Sequence, residues 1–271
     1  MNGKNEPMTL DDILHAKQER IDELHRCVPG RTALLVIDMQ RGFLEPGAAL
    51  EVPQGRQIVP SLRRLIDACR AKGVPVVFTE FVYCAAVPCL RGDPFGPEHL
   101  PPVEGEPTGF GHPSGNCLIG PNAEKGDESN LPPGGPQGAS HKLDLSPFSA
   151  VKACDSAQTI PELAPRPDEL VVRGHTYDKF YGTPLDLALR SRDVRWLIVT
   201  GVVTDICVAA TLMSAATRDY RVTAVTDGVA TLWPEIQQAC FDTWRRKFAR
   251  LRTTDEMVEE IAGFVAQENG Q

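Results

Sequence analysis

The sequence predicts an α/β protein with a doubly wound, mainly parallel sheet flanked by helices. Short apolar runs recur along the chain, and a helical pattern follows each of them. The runs show no regular alternation of apolar and polar residues, which is typical of strands buried on both faces. Alternation of such strands with helices requires crossover connections, and these connections favour a parallel sheet with helices on both sides.

The first elements are a helix and a buried strand. A helical pattern runs from Thr9 to about Cys27, with its leucines and isoleucines near one face, and Thr9 with Asp12 fits a capping pair at its start. The run Ala33–Ile37 is then continuously apolar and ends at Asp38. This run predicts a strand that is buried on both faces.

The same alternation continues to the end of the chain. Apolar residues at helical spacing run from Ile58 to Cys69, and Lys72 with Gly73 closes this helix. Four further strands and two late helices follow from the same reasoning. The strands are Val74–Phe78, Leu170–Val172, Trp196–Val199 and Val222–Val225, and the helices run from about Pro234 to Phe248 and from about Asp255 to Gln267.

A region rich in proline and glycine interrupts this alternation. It runs from about Cys84 to Leu145 and contains roughly half of the chain's 23 prolines, without sustained periodicity. We expect it either to lie over the sheet edge and cover the site, or to be a solvated or subunit-contact insertion. The predicted organisation is an N-terminal helical extension, residues 1–30, and one domain, residues 31–271, that includes the insertion at about 84–145.

Composition and charge exclude several classes of protein. Apolar residues make up 42% and charged residues 24% of the chain, as in soluble globular proteins. The net charge of -8, without a basic cluster to offset it, argues against nucleic-acid binding. No apolar run approaches the ~18 residues of a membrane span, and the polar N-terminus is unlike a secretory signal. The 8 cysteines are scattered without a CxxC pair, so we expect reduced thiols and a cytoplasmic location.

Three groups able to do chemistry follow predicted strands. Asp38 follows the first strand, residues 173–179 follow the third, and Cys207 follows the fourth on a turn before an amphipathic stretch, Val208–Thr217. Because the carboxyl ends of parallel strands meet at one edge of a sheet, we expect the three groups to lie together. A thiol at a helix N-terminus favours the thiolate, a carboxylate can act as its base, and a nearby cation can stabilise negative charge. Each group also has a structural interpretation: a buried apolar thiol, a helix cap and solvated charges.

Segments around these residues carry a family resemblance. They are Leu35–Phe43 (LVIDMQRGF), Tyr177 with Gly182–Asp186 (GTPLD), Gly201–Val208 (GVVTDICV) followed by Thr211, and Tyr220–Val222 with Thr226–Ala230 (TDGVA). On these segments the sequence resembles the isochorismatase-like cysteine hydrolases, over about residues 31–82 and 160–262.

This resemblance implies a six-stranded parallel sheet and a thioester mechanism without a cofactor. Cys207 would attack a carboxamide or ureido carbonyl. Asp38 would take the thiol proton, pass a proton to the leaving amine and then activate a water. A cis peptide bond between Val202 and Val203 would turn the Val203 N–H inward, and the N–H groups of Val203 and Cys207 would form the oxyanion hole. The family also forms dimers and tetramers, which implies a homo-oligomer.

The middle segment, Gly182–Asp186, looks closest to family members that cleave carbamoyl or ureido groups, such as ureidoacrylate, biuret and N-carbamoylsarcosine hydrolases. The expected partner is therefore a small amide or ureide. Two alternatives stay open: hydrolysis of a vinyl ether of the isochorismate type, and a non-catalytic protein that binds a small ligand or forms an oligomeric scaffold. Members that cleave isochorismate generally lack the nucleophilic cysteine, whereas this chain has Cys207.

The chain departs from the family at its catalytic lysine. The family's lysine lies three residues before the tyrosine of the middle segment, and this register is Gly174 here. Lys179 is the preferred replacement, because lysine is a compact charge that fits between a carboxylate and a thiolate. Arg173 or His175 could fill the same space. A site without a cation, or an alignment gapped by a few residues, also stays open.

Aromatic residues near these positions are candidates for the substrate pocket. Phe43 stands where the family has a pocket aromatic, and Phe180 with Tyr181 lies on the loop after the third strand. Ordinary core packing is the alternative for all three.

Family members that bind a metal use an Asp-x-His motif after the second strand. Residues 79–84 read TEFVYC here, without that motif, so we expect no metal.

Overall fold

A computed structural model describes residues 8–46, 51–81, 158–174 and 176–264. The predicted insertion at about 84–145 lies outside the described residues, and so does His175. The described residues form a six-stranded sheet in which every neighbouring pair of strands is parallel. The predicted doubly wound α/β fold is therefore confirmed.

The sheet and helices follow one another along the chain much as predicted. The strands are β1 (Thr32–Ile37), β2 (Val76–Phe81), β3 (Leu170–Gly174), β4 (Trp196–Val202), β5 (Arg221–Ala230) and β6 (Ala249–Arg252). Their order across the sheet is β3-β2-β1-β4-β5-β6. The helices are α1 (Leu10–Leu24), α2 (Arg41–Leu44), α3 (Pro53–Gln57), α4 (Val59–Ala71), α5 (Leu185–Arg190), α6 (Ala209–Thr217), α7 (Pro234–Lys247) and α8 (Thr254–Ala262).

Strand β6 and the end of the last helix differ from the expectation drawn from apolar periodicity. The periodicity did not predict β6, whose sequence Ala-Arg-Leu-Arg carries no apolar run. Burial of Arg250 in this strand depends on an ion pair with Glu260 on α8, at 3.0 Å, which no local pattern contains. The last helix ends at Ala262 and is capped by Gly263, whereas the predicted end was near Gln267.

The core consists of an apolar layer on each face of the sheet. Successive side chains of β1 enter the two layers in turn: Leu34 and Val36 pack into one, Leu35 and Ile37 into the other. Full burial on both faces explains the continuous apolar run, because no position of this strand meets water. Each such buried leucine or isoleucine contributes roughly 2 kcal/mol of apolar burial.

The strand order places a crevice between β1 and β4. After β1 the next strands are added on one side of the sheet, and after β4 they are added on the other side. Ligands of open α/β sheets bind at the carboxyl ends of two strands where the strand order reverses in this way. At the same end, Gly201 of β4 lies in register with Ile37 of β1 and has a φ of 116°. A Cβ there would overlap the carbonyl oxygen of Ile37, so only glycine lets the strands approach this closely.

The N-terminal helix packs beside the last part of the domain. Thr9 and Asp12 form the predicted capping box: the Asp12 N–H donates to Thr9 Oγ1 at 3.2 Å, and the Thr9 N–H donates to Asp12 Oδ2 at 2.9 Å. The helix contacts α7 and β6. Across the described ranges, no helix combines the length and the apolar character needed to cross a membrane.

Candidate active site

Asp38 lies directly after β1 and is completely buried. Its backbone adopts the left-handed conformation, with a φ of 52°, which is uncommon outside glycine and typical of functional positions. Thr79 at the end of β2 holds it on two sides. The Thr79 hydroxyl donates to Asp38 Oδ1 at 2.7 Å, and the Asp38 N–H approaches Thr79 Oγ1 at 3.2 Å. The carboxylate therefore has a defined orientation at the sheet edge.

The Lys179 ammonium lies 2.7 Å from Asp38 Oδ2, and both side chains are 0% exposed. The ammonium also donates to the carbonyl oxygen of Thr176 at 3.1 Å and lies 4.8 Å from the centre of the Phe81 ring. A buried charge is tolerated where it is paired and its remaining hydrogen-bonding capacity is used. The three contacts of Lys179 meet this condition.

Cys207 lies next to this pair, on a π-helical turn, Thr204–Val208, that joins β4 to α6. The Asp38 carboxylate and the Val203 N–H are both close enough to act on the pKa of its thiol, the first raising it and the second lowering it. The peptide bond between Val202 and Val203 is cis. Nucleophile, carboxylate and ammonium thus share one site at the carboxyl ends of β1 and β4.

The environment of Cys207 favours the thiol over the thiolate. Burial raises the pKa of this thiol well above its ordinary value, and the Asp38 carboxylate raises it further. Lys179 and the Val203 N–H lower the pKa of the thiol, but their effect is smaller than the rise caused by burial and Asp38. Burial and the carboxylate therefore oppose the thiolate that a helix N-terminus is expected to favour, and Cys207 lies in the π-helical turn directly before α6.

A protein-family model described as the isochorismatase domain matches residues 32–110 and 140–256. The chain belongs to the isochorismatase family. Among curated proteins, it is 26% identical over 250 residues to ureidoacrylate amidohydrolase RutB from Pseudomonas savastanoi pv. phaseolicola, covering 90% of this chain and 87% of that protein. The family resemblance found on the sequence is thus confirmed, and it is a resemblance to hydrolases.

Solved structures of the family have the same fold. A cysteine hydrolase from Pseudomonas syringae pv. phaseolicola has a TM-score of 0.60 and 26% identity, covering 88% of this chain and 95% of the other. N-carbamoylsarcosine amidase from Thermoplasma acidophilum has a TM-score of 0.54 and 23% identity, covering 83% of this chain and 97% of the other. The second likeness concerns the fold alone.

The space around Gly174 shows why this chain of the isochorismatase family can have a glycine where the resemblance predicts the family's lysine. A Cβ built on Gly174 would lie 3.9 Å from Lys179 Cδ and 3.4 Å from Thr183 Cγ2. The volume that a side chain at position 174 would enter is therefore occupied by the aliphatic stem of Lys179. In this isochorismatase-family chain the lysine reaches the carboxylate from the following loop rather than from the strand.

The other candidate cations are placed differently. The Arg173 Nε donates to Glu80 Oε2 at 3.0 Å, and the Thr159 N–H donates to Glu80 Oε1 at 3.2 Å. Burial raises the pKa of Glu80, while the Arg173 guanidinium opposes this rise. Arg173 thus pairs with a buried carboxylate of β2. His175 lies outside the described residues.

The predicted pocket aromatics occupy three different environments. Phe43 is buried, with its ring centre 6.4 Å from that of Phe81. Phe180 is buried against Tyr220, with ring centres 5.7 Å apart, within the core layer. Tyr181 is 55% exposed. Phe43 is therefore joined to the ring beside the Lys179 ammonium, whereas Phe180 takes the core-packing alternative.

Sequence reasoning missed Thr79 and Phe81 as site residues and named Thr211 only as part of a family motif, and all three contact Asp38 or Lys179. Thr79 and Phe81 lie at the end of β2, and register with the end of β1 could have indicated Thr79. Phe81 stacks on Tyr177, with ring centres 5.7 Å apart and planes at 13°, and this contact forms between distant segments. Within the described part of the chain, no group of three or more His, Cys, Asp or Glu side chains could hold a metal ion.

Proposed function

We propose that this protein is a metal-independent cysteine amidohydrolase that cleaves a C–N bond of a small amide or ureido compound through a Cys207 thioester. One observation carries the proposal: the Asp38 carboxylate lies 2.7 Å from the buried Lys179 ammonium, and both charges act on the pKa of the neighbouring buried Cys207 thiol. This is the arrangement in which a base can take a thiol proton while a cation keeps the base ionised.

The first step is attack of the Cys207 sulfur on the carbonyl carbon. Because the pKa of the thiol is raised, the proton moves to Asp38 as the C–S bond forms, rather than leaving beforehand. The carbonyl oxygen becomes an oxyanion. The N–H groups of Val203 and Cys207 would receive it, and the Val203 N–H is close enough to the sulfur to lower the pKa of the thiol.

The second step breaks the C–N bond. Asp38 returns its proton to the nitrogen, and ammonia or an amine leaves as the acyl thioester forms on Cys207. A water molecule then adds to the thioester, with Asp38 as its base, and the thiol is regenerated. A carboxamide yields a carboxylic acid. A ureido group yields a carbamate, which decays to carbon dioxide and ammonia if the amine left first, or to carbon dioxide and the amine if ammonia left first.

The substrate class rests on similarity and on the rings beside the site. The relative named ureidoacrylate amidohydrolase covers nearly the whole chain. Phe43, Phe81 and Tyr177 form consecutive ring contacts, and Phe81 also lies against the Lys179 ammonium. Phe43 and Phe81 are buried whereas Tyr177 is 38% exposed, so Tyr177 is the ring of this cluster that a planar amide or ureido group can reach.

Two alternative functions have less support. Hydrolysis of an isochorismate-type vinyl ether does not need a nucleophilic cysteine, whereas this chain has Cys207 beside a carboxylate that acts on its pKa. A non-catalytic role was favoured by the missing lysine at Gly174. The Lys179 ammonium beside Asp38 removes that argument, because the site has a cation from another position.

Ammonia release tests the proposal. The purified protein is incubated with ureidoacrylate, biuret, N-carbamoylsarcosine and simple carboxamides, before and after dialysis against EDTA. We expect ammonia from at least one of them, unchanged by EDTA, and a loss of about a thousandfold or more for Cys207→Ala. Cys240→Ala is the matched control, because Cys240 is a partly exposed free cysteine.

The intermediate can be observed directly. Rapid acid quenching during turnover, followed by mass spectrometry of the intact protein, should show an acyl adduct that disappears in Cys207→Ala. Unchanged ammonia release by Cys207→Ala would disprove the thioester. Turnover of isochorismate without ammonia release would support the vinyl-ether alternative instead.

A further inference from the structure

The loop that carries Lys179 is attached to α6 by a buried hydroxyl. Thr211 of α6 is completely buried. The Lys179 N–H donates to Thr211 Oγ1 at 3.1 Å, and this hydroxyl donates to the carbonyl oxygen of Tyr177 at 3.2 Å. One side chain therefore satisfies two backbone groups of the loop, one on the lysine itself and one two residues before it.

Thr211 also has a fixed relation to the nucleophile. It lies four residues after Cys207, one helical turn further along the same segment, and residues at this spacing lie on one helical face. The segment that presents the sulfur therefore also holds the loop that presents the ammonium. Displacement of one relative to the other requires breaking the contacts of Thr211.

A lysine on a loop needs such an attachment more than a lysine on a strand. Position 174 belongs to β3, where ladder hydrogen bonds define the backbone, whereas Lys179 follows the strand on a loop. The Lys179 carbonyl oxygen accepts from Thr183 Oγ1 at 2.5 Å within the loop. A second tie to α6 joins Ser214 Oγ to Asp178 Oδ2 at 2.8 Å.

We propose that Thr211 is a positioning residue that holds the Lys179 backbone so that its ammonium reaches Asp38. This inference rests on the proposed function and deepens it, because it explains how a lysine outside the family register can serve the same carboxylate. Loss of the hydroxyl removes the acceptor of the Lys179 N–H and one donor to the Tyr177 carbonyl, so the loop is held less firmly on α6.

The test combines Thr211→Val with Lys179→Ala. Valine keeps the shape of threonine but removes the hydroxyl. With ureidoacrylate as the substrate, we expect Thr211→Val to lower kcat by about tenfold to a hundredfold, as for a misplaced catalytic group, with KM changed by less than about threefold. Thr211→Ser should retain most of the activity. In the Lys179→Ala background, Thr211→Val should add no more than about a twofold loss, because the group it positions is absent.

A second readout does not require a substrate. Iodoacetamide alkylation of Cys207, followed by mass spectrometry, reports thiol reactivity, and the Lys179 ammonium lowers the pKa of this thiol. Thr211→Val should slow alkylation in the wild-type background and leave it unchanged in the Lys179→Ala background. Thr200→Val is the matched control, because Thr200 of β4 is also buried and its hydroxyl donates to the Leu35 carbonyl at 2.8 Å. This variant should be less stable than the wild type but should keep the wild-type kcat and the wild-type rate of Cys207 alkylation.

The outcomes separate the inference from the proposed function. Wild-type kcat and alkylation in Thr211→Val would overturn the positioning role, and so would a Thr211→Val effect that persists in full without Lys179. Both results leave the proposed function intact if Lys179→Ala is inactive. Wild-type activity of Lys179→Ala would instead remove the lysine from the proposed mechanism, and the positioning role with it.

Discussion

The ammonium of Lys179 and the Asp38 carboxylate are 2.7 Å apart, with both side chains entirely out of solvent. Two buried charges of this kind are costly unless each has its partner, so loss of either one affects both folding and chemistry. The pair also explains why a glycine can stand at the family's lysine position: the stem of Lys179 lies 3.9 Å from where a Gly174 Cβ would be.

Exchanging the residues at positions 174 and 179 tests whether Lys179 replaces the lysine that the family has on the strand. We expect Lys179→Gly to lower kcat/KM for ammonia release by about a hundredfold or more, as for loss of an electrostatic group in a dry site. The double variant G174K/K179G, with the lysine back on β3, should recover at least about tenfold over the single variant. Gly174→Lys alone should lose activity, since its side chain enters the space of the Lys179 stem.

Arg173→Ala is the control for this exchange, because Arg173 pairs with Glu80. It should change kcat/KM by no more than about threefold, the size of a lost partly exposed ion pair. Circular dichroism checks that each variant is folded. An inactive Arg173→Ala together with a fully active Lys179→Ala would assign the cation to Arg173 and contradict the choice of Lys179.

The pH dependence of Cys207 reactivity follows from its surroundings. Burial and the Asp38 carboxylate raise the pKa of the thiol, so the thiolate fraction keeps increasing as the pH rises above the ordinary value of 9.0. We expect the rate of iodoacetamide alkylation to increase throughout pH 6–10 without a plateau near neutrality. Unfolded protein in urea is the control and should approach its plateau at lower pH. A plateau below about pH 8 in the folded protein would indicate a preformed thiolate.

His25 should make the fold sensitive to acid. It is buried beside Val222, and burial lowers its pKa below the ordinary value of 6.5. Between these two pKa values the unfolded chain binds more protons than the folded chain, so stability is present above about pH 6.5 and is lost as the pH falls. Urea unfolding at pH 7.5 and 5.0 should show this loss in the wild type and a smaller loss in His25→Gln.

The exposed His15 is the matched control for this measurement, since its side chain is 77% exposed. His15→Gln should have the same pH dependence as the wild type. Equal loss of stability on acidification in His25→Gln and the wild type would assign the acid sensitivity to other groups.

Loss of the buried ion pair Arg250–Glu260 should lower the free energy of unfolding more than loss of an exposed ion pair. Arg250 donates twice to Glu260, at 3.0 Å for both contacts, and its side chain is 2% exposed. Arg250→Met leaves the carboxylate without this partner and should lower the free energy of unfolding by about 3 kcal/mol. The double variant with Glu260→Leu should recover part of the loss. Arg64→Met, which breaks an exposed pair with Asp255, should cost no more than about 0.5 kcal/mol.

Strand β6 could not be predicted from apolar periodicity, whereas β1 could. β1 was predictable because every residue is buried and apolar, so the sequence and the environment agree. In β6 the buried Arg250 looks like a surface residue, and its stabilising partner is on another element. The division into residues 1–30 and 31–271 and the homo-oligomeric state stay predictions, and light scattering of the purified protein measures the latter.

The sequence by itself determined the fold class and the meeting of Asp38 with Cys207. Both residues follow apolar runs that can only be buried strands, and the carboxyl ends of parallel strands lie at one edge. Only the tertiary structure decided which cation joins them, because Lys179 lies on a loop whose path depends on Thr211 of α6 rather than on local propensity. It also set the environment of the thiol, because burial, which raises the pKa of Cys207, is a property of the surrounding fold and not of the local sequence.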